Sequence, residues 1–302
     1  MRMIICGGSG FIGTALTKSL LAEGHQVWIL TRNPHTTRLV EGVQGVGWDG
    51  RTITGWGRII SQVDAIINLA GESLGSGAWT EARKKRIMTS RVEAGQVICA
   101  AIRQANPRPR VLIQASAVGI YGPCGDEPVT EESAPGSDFL AEVCKEWEAS
   151  TQPVKELGVR RVVIRTGVVL SRDEGALQRM MLPFKLFAGG PLGNGRQGLP
   201  WIHPADEVAA IRFLLENEKA QGVYNLSAPE PLSNADFGRI LAKVMRRPYW
   251  LPVPGFALRL LLGEMSDLVL GGQFMLPRRL QELGYKFRFE AAEAALKNVL
   301  TG

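Results

Sequence analysis

The sequence predicts a doubly wound α/β protein, because short Val- and Ile-rich runs alternate with longer amphipathic stretches and a glycine-rich turn joins the first of each. The runs are Met3 to Cys6, Gln26 to Leu30, Ala65 to Leu69, Val111 to Ala115, Arg161 to Arg165 and Val223 to Leu226. Most are apolar without alternation, so they read as strands buried on both faces, which is the signature of a parallel sheet. A chain of 302 residues, 45% hydrophobic and 21% charged, is long enough for about two domains and has the composition of an ordinary folded protein.

The elements follow in order. Thr14 to Glu23 places Ala15, Leu16, Leu20 and Leu21 on one helical face and stops at Gly24. Ser90 to Ala105 repeats the pattern with Val92, Val97, Ile98 and Ile102. After about Leu170 the rhythm breaks into a Gly/Pro-rich stretch, Gly189 to Pro200, which reads as a binding loop within a compact fold. Later helical stretches are Asp206 to Leu215, Ala235 to Met245, Phe256 to Leu262 and Glu290 to Leu300, with Pro277 to Leu283 as a further segment of the tail between the last two. The division this implies is a first domain over 1–170, to which 204–228 return, and a smaller C-terminal α+β substrate domain from 171–203 and 229–302.

The strongest local signal is Gly7-Gly8-Ser9-Gly10-Phe11-Ile12-Gly13, with a strand before it and an amphipathic helix after it. Gly7 permits the tight turn, Gly10 lets backbone approach a pyrophosphate, and Gly13 permits close packing of helix on strand. Such a turn predicts a Rossmann-type dinucleotide site. The second strand ends Thr31-Arg32-Asn33-Pro34, and no Asp or Glu occurs between Gly24 and Val40. NAD-preferring sites carry an acid there for the ribose hydroxyls; Arg32, with His35 and Arg38 nearby, suits the 2′-phosphate of NADP(H) instead. The plainer reading of Arg32 is an exposed turn residue.

Other partners are expected to be absent. The net charge is +6, but the basic residues form short scattered clusters without interleaved aromatics, which argues against nucleic acid. Cys6, Cys99, Cys124 and Cys144 form no CxxC pair, and His25, His35 and His203 fall in no ligand spacing, so no metal is expected. With no run of 18 apolar residues and no signal-like start, the expected compartment is the cytoplasm and no membrane partner is expected.

Several longer motifs bear on the activity: Asn68-Leu69-Ala70-Gly71-Glu72, Ser116 to Gly122, Trp147-Glu148, Arg165 to Leu170, Gly189 to Gly195 and Trp201-Ile202-His203. With the Gly7 to Gly13 turn, they make the chain resemble, over its whole length, the atypical extended short-chain dehydrogenase/reductases, in the nucleoside-diphosphate-sugar epimerase subgroup. The resemblance implies a Rossmann domain carrying NADP(H) under a small C-terminal domain that closes over a small-molecule substrate such as a sugar nucleotide. It implies that Leu69, Ala70, Gly71 and Glu72 lie along the adenosine ribose and pyrophosphate, that Asp49 contacts the adenine, and that Arg165 borders the nicotinamide. It places His203 near the mouth of the substrate cleft, where the alternative is a buried histidine bonded to a carboxylate such as Asp206. Arg196 in the Gly-rich loop is the candidate for an anionic substrate group. Relatives often pair through the helices that include Ser90 to Ala105 and Asp138 to Gln152, which leaves a monomer and a homodimer both open.

The chain departs from that pattern in its catalytic groups. Hydride transfer in the superfamily relies on a tyrosine with a lysine four residues later, the lysine lowering the phenol pKa. Four residues after Tyr121, Tyr224, Tyr249 and Tyr285 come Gly125, Ala228, Val253 and Phe289, so no YxxxK exists. Aligned on Glu148, Leu140 takes the tyrosine's place and Cys144 the lysine's, while Ser116 sits one place before the usual catalytic serine, which becomes Ala117. The substitutes are Tyr121, if Lys145 or Arg91 lowers its pKa; Cys144, as a thiolate or as an inert buried cysteine; Lys145; and Ser116 as a hydrogen-bond donor. Two functions follow: an NADP(H)-dependent oxidoreductase or sugar-nucleotide epimerase with a variant acid/base, or a redox-sensing or regulatory protein that holds NADP(H) without turnover.

Overall fold

A computed structural model describes residues 1–301. Seven parallel strands build the central sheet: β1 (Arg2–Cys6), β2 (Gln26–Thr31), β3 (Gln44–Gly47), β4 (Ala65–Asn68), β5 (Val111–Ala117), β6 (Arg160–Thr166) and β7 (Gly222–Leu226). Their order is β7-β6-β5-β4-β1-β2-β3, so the winding reverses between β1 and β4. In such sheets ligands bind in the crevice beyond the carboxyl ends of the strands at that reversal.

The unbroken apolar runs have the predicted consequence. Ile5, Ile29, Ile67, Ile113 and Ile164 are buried on one face with Leu16 and Leu20 of α1 (Phe11–Ala22) and Ile211 and Leu214 of α5 (Pro204–Glu216). Ile4, Leu30, Ile66 and Leu112 are buried on the other with Val97, Ile98 and Ile102 of α2 (Glu81–Gln104). Helix α3 (Phe139–Ala149) packs beside α2, and α5 beside α1. Helix α2 begins well before the predicted Ser90. Thr80 caps it by accepting from the Arg83 N–H, and its charged first turns show no apolar period because Arg83 is buried for its polar contacts.

Beyond β6 a separate core forms. Leu177, Met181 and Phe184 of α4 (Gly175–Lys185) meet Phe237 and Leu241 of α6 (Asn234–Met245), Trp201, and Ala295 and Leu296 of α8 (Ala292–Thr301). No element is expected over α4 from the sequence, where the strand–helix rhythm breaks after Leu170; the burial of residues 177, 181 and 184 is nonetheless a helical spacing. The Gly189 to Pro200 stretch is a packed seam. Its backbone bridges to Tyr249 and Val253, and a Cβ on Gly190 would lie 1.9 Å from the Leu251 carbonyl oxygen. Among the described residues no helix is long and apolar enough to cross a membrane.

Candidate functional site

The glycine turn lies at the winding reversal. Gly7 has φ +79°, and a Cβ there would stand 2.7 Å from the carbonyl oxygen of Leu69, which follows β4. A Cβ on Gly13 would stand 2.4 Å from the Gly7 carbonyl oxygen, so two glycines let β1, the β4 end and α1 close on one another. Helix α1 starts at Phe11 with Gly10 as its cap, no side-chain cap bond and no acid in the first turn. Ser9 and Gly10 are exposed and Phe11 and Ile12 half-buried. An uncapped helix N-terminus beside close-set glycines is a cradle for a phosphate, and it fits a dinucleotide's pyrophosphate.

Arg32 follows β2 and is exposed, with no ion-pair or hydrogen-bond partner among the described residues. Its turn is held by the Thr36 and Thr37 N–H groups, which donate to the Asn33 carbonyl. Asp49 is also exposed, but its carboxylate serves its own turn, accepting from the Arg51 and Thr52 N–H groups at 2.8 Å each and from the Thr52 hydroxyl at 2.9 Å. Those backbone bonds hold its pKa below the usual value. Glu72 is turned toward α2, paired with Arg83 at 3.3 Å and Arg86 at 3.5 Å. Arg91 donates to the Glu72 carbonyl and lies over Trp147, so Gly71 runs across a guanidinium, where a Cβ would be 2.9 Å from its carbon.

Past the reversal, Ser116, Arg165 and Asn225 stand in register on β5, β6 and β7. They join residues distant in sequence into one polar cluster. Ser116 donates to Glu148 Oε1 at 2.7 Å, and Arg165 donates to both Glu148 oxygens. Arg165 also donates to the Tyr121 hydroxyl at 3.0 Å, and Tyr121 donates to Asn225 Oδ1 at 2.6 Å. Burial opposes the charge on Arg165, but the hydrogen bonds and charge of Glu148 outweigh it and raise its pKa. Arg165 is thus a buried anchor spanning three strands, where the resemblance implied a border of the nicotinamide.

Each expected proton-transfer group has a partner or a burial of its own in the structure. Tyr121 is 2% exposed, and burial pushes its phenol pKa up despite Arg165; neither Lys145 nor Arg91 is its partner. Cys144 is buried, and desolvation with the neighbouring Glu148 carboxylate pushes its thiol up to about 11, which disfavours a thiolate there. Lys145 is half-buried and pairs with Glu142 at 3.7 Å. Ser116 is buried with its proton committed to Glu148.

The two substrate candidates separate. Arg196 is exposed and paired with Asp126. His203 caps α5: its Nδ1 accepts from the Ala205 N–H at 3.0 Å, its Nε2 meets Asn298 Oδ1 at 3.1 Å, and its ring stacks on Phe289. It is the buried histidine of the alternative, but with Asn298 as partner, because Asp206 instead accepts from Tyr285 and the N–H groups of Arg288 and Phe289. One trio with ligand-like spacing exists among the described residues, Glu23, His25 and Glu216, where Arg212 already supplies a cation to both carboxylates.

Sequence reasoning missed two buried acids. Glu207 on α5 accepts from the Thr166 hydroxyl at 2.9 Å, and its Oε2 has no partner; burial raises its pKa to about 8. Glu131 Oε1 accepts from the Asn225 N–H at 3.0 Å, and its Oε2 is likewise unpartnered. The available signal was the polar residue at the end of each buried run: Ser116, Arg165 and Asn225.

Residues 3–227 match the model of the NAD dependent epimerase/dehydratase family. The chain belongs to this family. Residues 253–299 match a domain of unknown function, DUF1731. Epimerase family protein YfhF of Bacillus subtilis is 40% identical over 99% of this chain and 98% of its own length. The Arabidopsis thaliana epimerase family protein SDR39U1 homolog, chloroplastic, is 39% identical over 99% and 87% respectively. The crystal structure of human epimerase family protein SDR39U1 with NADPH superposes with a TM-score of 0.87 at 33% identity, covering 100% of this chain and 99% of that one. UDP-glucose 4-epimerase of Thermus thermophilus shares the fold, with a TM-score of 0.74 at 19% identity. These matches bear out the expected superfamily and the doubly wound sheet, and they make the nicotinamide dinucleotide the family's cofactor.

Proposed function

We propose that this protein binds NADP(H) across the Gly7 to Gly13 turn and holds it as a redox-sensing or regulatory ligand. The observation that carries the absence of conventional turnover is the bonding of Tyr121: its phenol donates to Asn225, accepts from Arg165, and is buried with a raised pKa. No proton donor of the YxxxK kind stands in its stead. For the cofactor, an unpaired exposed Arg32 beside an uncapped helix N-terminus supports the 2′-phosphate, as does the NADPH in the human relative's structure.

The second reading is an oxidoreductase or sugar-nucleotide epimerase, and Ser116 favours it. Its hydroxyl lies one residue before the end of β5 and is bonded to a carboxylate, so a substrate oxygen that displaced Glu148 would meet a positioned donor. The two readings part in one measurement. Fluorescence titration with NADPH, followed by a screen of NADPH oxidation with sugar nucleotides and small carbonyl compounds, is expected to show tight binding without turnover. Turnover that Ser116→Ala abolishes while NADPH still binds would establish the second reading.

NADPH is expected to bind more tightly than NADH, and Arg32→Ala is expected to narrow that preference about tenfold or more, the usual worth of a charge-assisted hydrogen bond. An unchanged ratio would refute the role of Arg32.

A further inference from the structure

We propose that the face formed by the end of α4, residues 246–251 and the helix α7 (Gly255–Leu262) docks on the surface of an anionic lipid bilayer. Helix α7 has the sequence Gly-Phe-Ala-Leu-Arg-Leu-Leu-Leu, yet Leu258 is its only buried residue. Phe256 is 73% exposed, Leu260 86% and Leu261 78%. The same exposure continues along the chain and its neighbour: Trp250 is 64% exposed and donates from Nε1 to the carbonyl of Phe187, itself exposed with Leu186 and Leu182. So many exposed apolar side chains within α7 and the Phe187–Trp250 contact mark an interaction site rather than the scattered exposure of ordinary surfaces.

The charge around them identifies the occupant. Segments 175–205 and 237–263 contain eight of the chain's 35 Lys and Arg and none of its 29 Asp and Glu; three of the eight, Arg196, Arg239 and Lys243, pair with Asp126, Asp236 and Glu293 outside them. Lys185, Arg246, Arg247 and Arg259 are exposed and in no ion pair among the described residues. Arg247 lies over the Phe187 ring at 4.5 Å, so cation and aromatic share one patch. Leu, Phe and Trp side chains flanked by unpaired Arg and Lys are the composition that inserts shallowly into an anionic headgroup layer. The expectation of no membrane partner rested on the lack of a spanning run, which peripheral docking does not require.

The test is co-sedimentation of the full chain with phosphatidylcholine vesicles, with and without phosphatidylglycerol. The chain is expected to pellet only with the anionic vesicles and to be released by salt. The double variant Phe256→Glu/Leu260→Glu is expected to abolish pelleting while NADPH binding is kept. Independently, Arg246→Gln and Arg247→Gln are each expected to weaken partitioning about fivefold, a cation's usual worth at such a surface. A blue shift of the emission that Trp250→Phe removes would place the patch in the bilayer. Pelleting equal on neutral vesicles, no pelteting on anionic ones at low salt, or pelleting untouched by all these variants would overturn the proposal. So would a dimer in solution that Leu260→Glu dissociates with no vesicle binding, since the face would then belong to a second copy.

Discussion

Arg165 grips Glu148 with two hydrogen bonds, Nε to Oε1 at 2.8 Å and Nη2 to Oε2 at 3.0 Å, and both side chains are largely buried. The pair ties α3 to β6 and, through Ser116 and Tyr121, to β5 and to Asn225 on β7. It therefore joins the last three strands of the sheet and α3 through one buried polar cluster. Removing one partner leaves the other's charge buried and unpaired, which costs about 3–5 kcal/mol, whereas removing both costs less. Arg165→Leu is expected to destabilise by roughly that amount in urea unfolding, and Glu148→Leu/Arg165→Leu by less than the sum of the single variants. Additive losses would show that the two do not act as a pair.

Tyr121→Phe distinguishes anchor from acid. The change removes a donor from Asn225 and an acceptor from Arg165 without opening a cavity, so a stability loss of about 1–2 kcal/mol is expected. NADPH affinity is expected to stay unchanged. If instead an NADPH-dependent turnover exists and falls by a hundredfold or more at unchanged stability, on the order of the contribution of a general acid, the phenol is catalytic.

Gly13→Ala probes the cradle. The added methyl would meet the Gly7 carbonyl oxygen at 2.4 Å and Gly8 Cα at 2.6 Å, backbone atoms that cannot rotate away. The turn must open, and a loss of about 1–3 kcal/mol of stability is expected along with loss of nucleotide binding. Differential scanning fluorimetry with and without NADPH reads both. A retained NADPH-induced rise in Tm would place the dinucleotide elsewhere.

The residues that were legible in the sequence are those whose meaning is local. Gly7, Gly10 and Gly13 carry a turn within seven positions, and the runs at Ile4, Ile66 and Ile113 carry their burial in their own composition. The polar cluster was illegible for the opposite reason: Tyr121 meets Asn225 across 104 positions and Ser116 meets Glu148 across 32, contacts that depend on strand order and register. The resemblance carried no information on desolvation, which is what raises the pKa of the Cys144 thiol standing where a lysine is expected.

Glu207 supplies a pH signature that no exposed group of the chain imitates. It is fully buried beneath the β6 end, with only the Thr166 hydroxyl as partner, and burial lifts its pKa from 4.5 to about 8. In the unfolded chain the carboxyl loses its proton near 4.5, while the folded protein keeps it until about 8, so between those values the native state binds the extra proton. Stability from this group is therefore complete below the unfolded value and falls as pH rises through the window, by about 1.4 kcal/mol per pH unit at most. Glu207→Gln keeps the shape, stays neutral at every pH and removes the slope. Urea unfolding at several pH values between 5 and 8.5, roughly the span over which the linkage acts, is expected to show wild type and variant alike at the acid end and the variant more stable at the alkaline end. Parallel curves would mean that Glu207 ionises in the folded protein as it does in water.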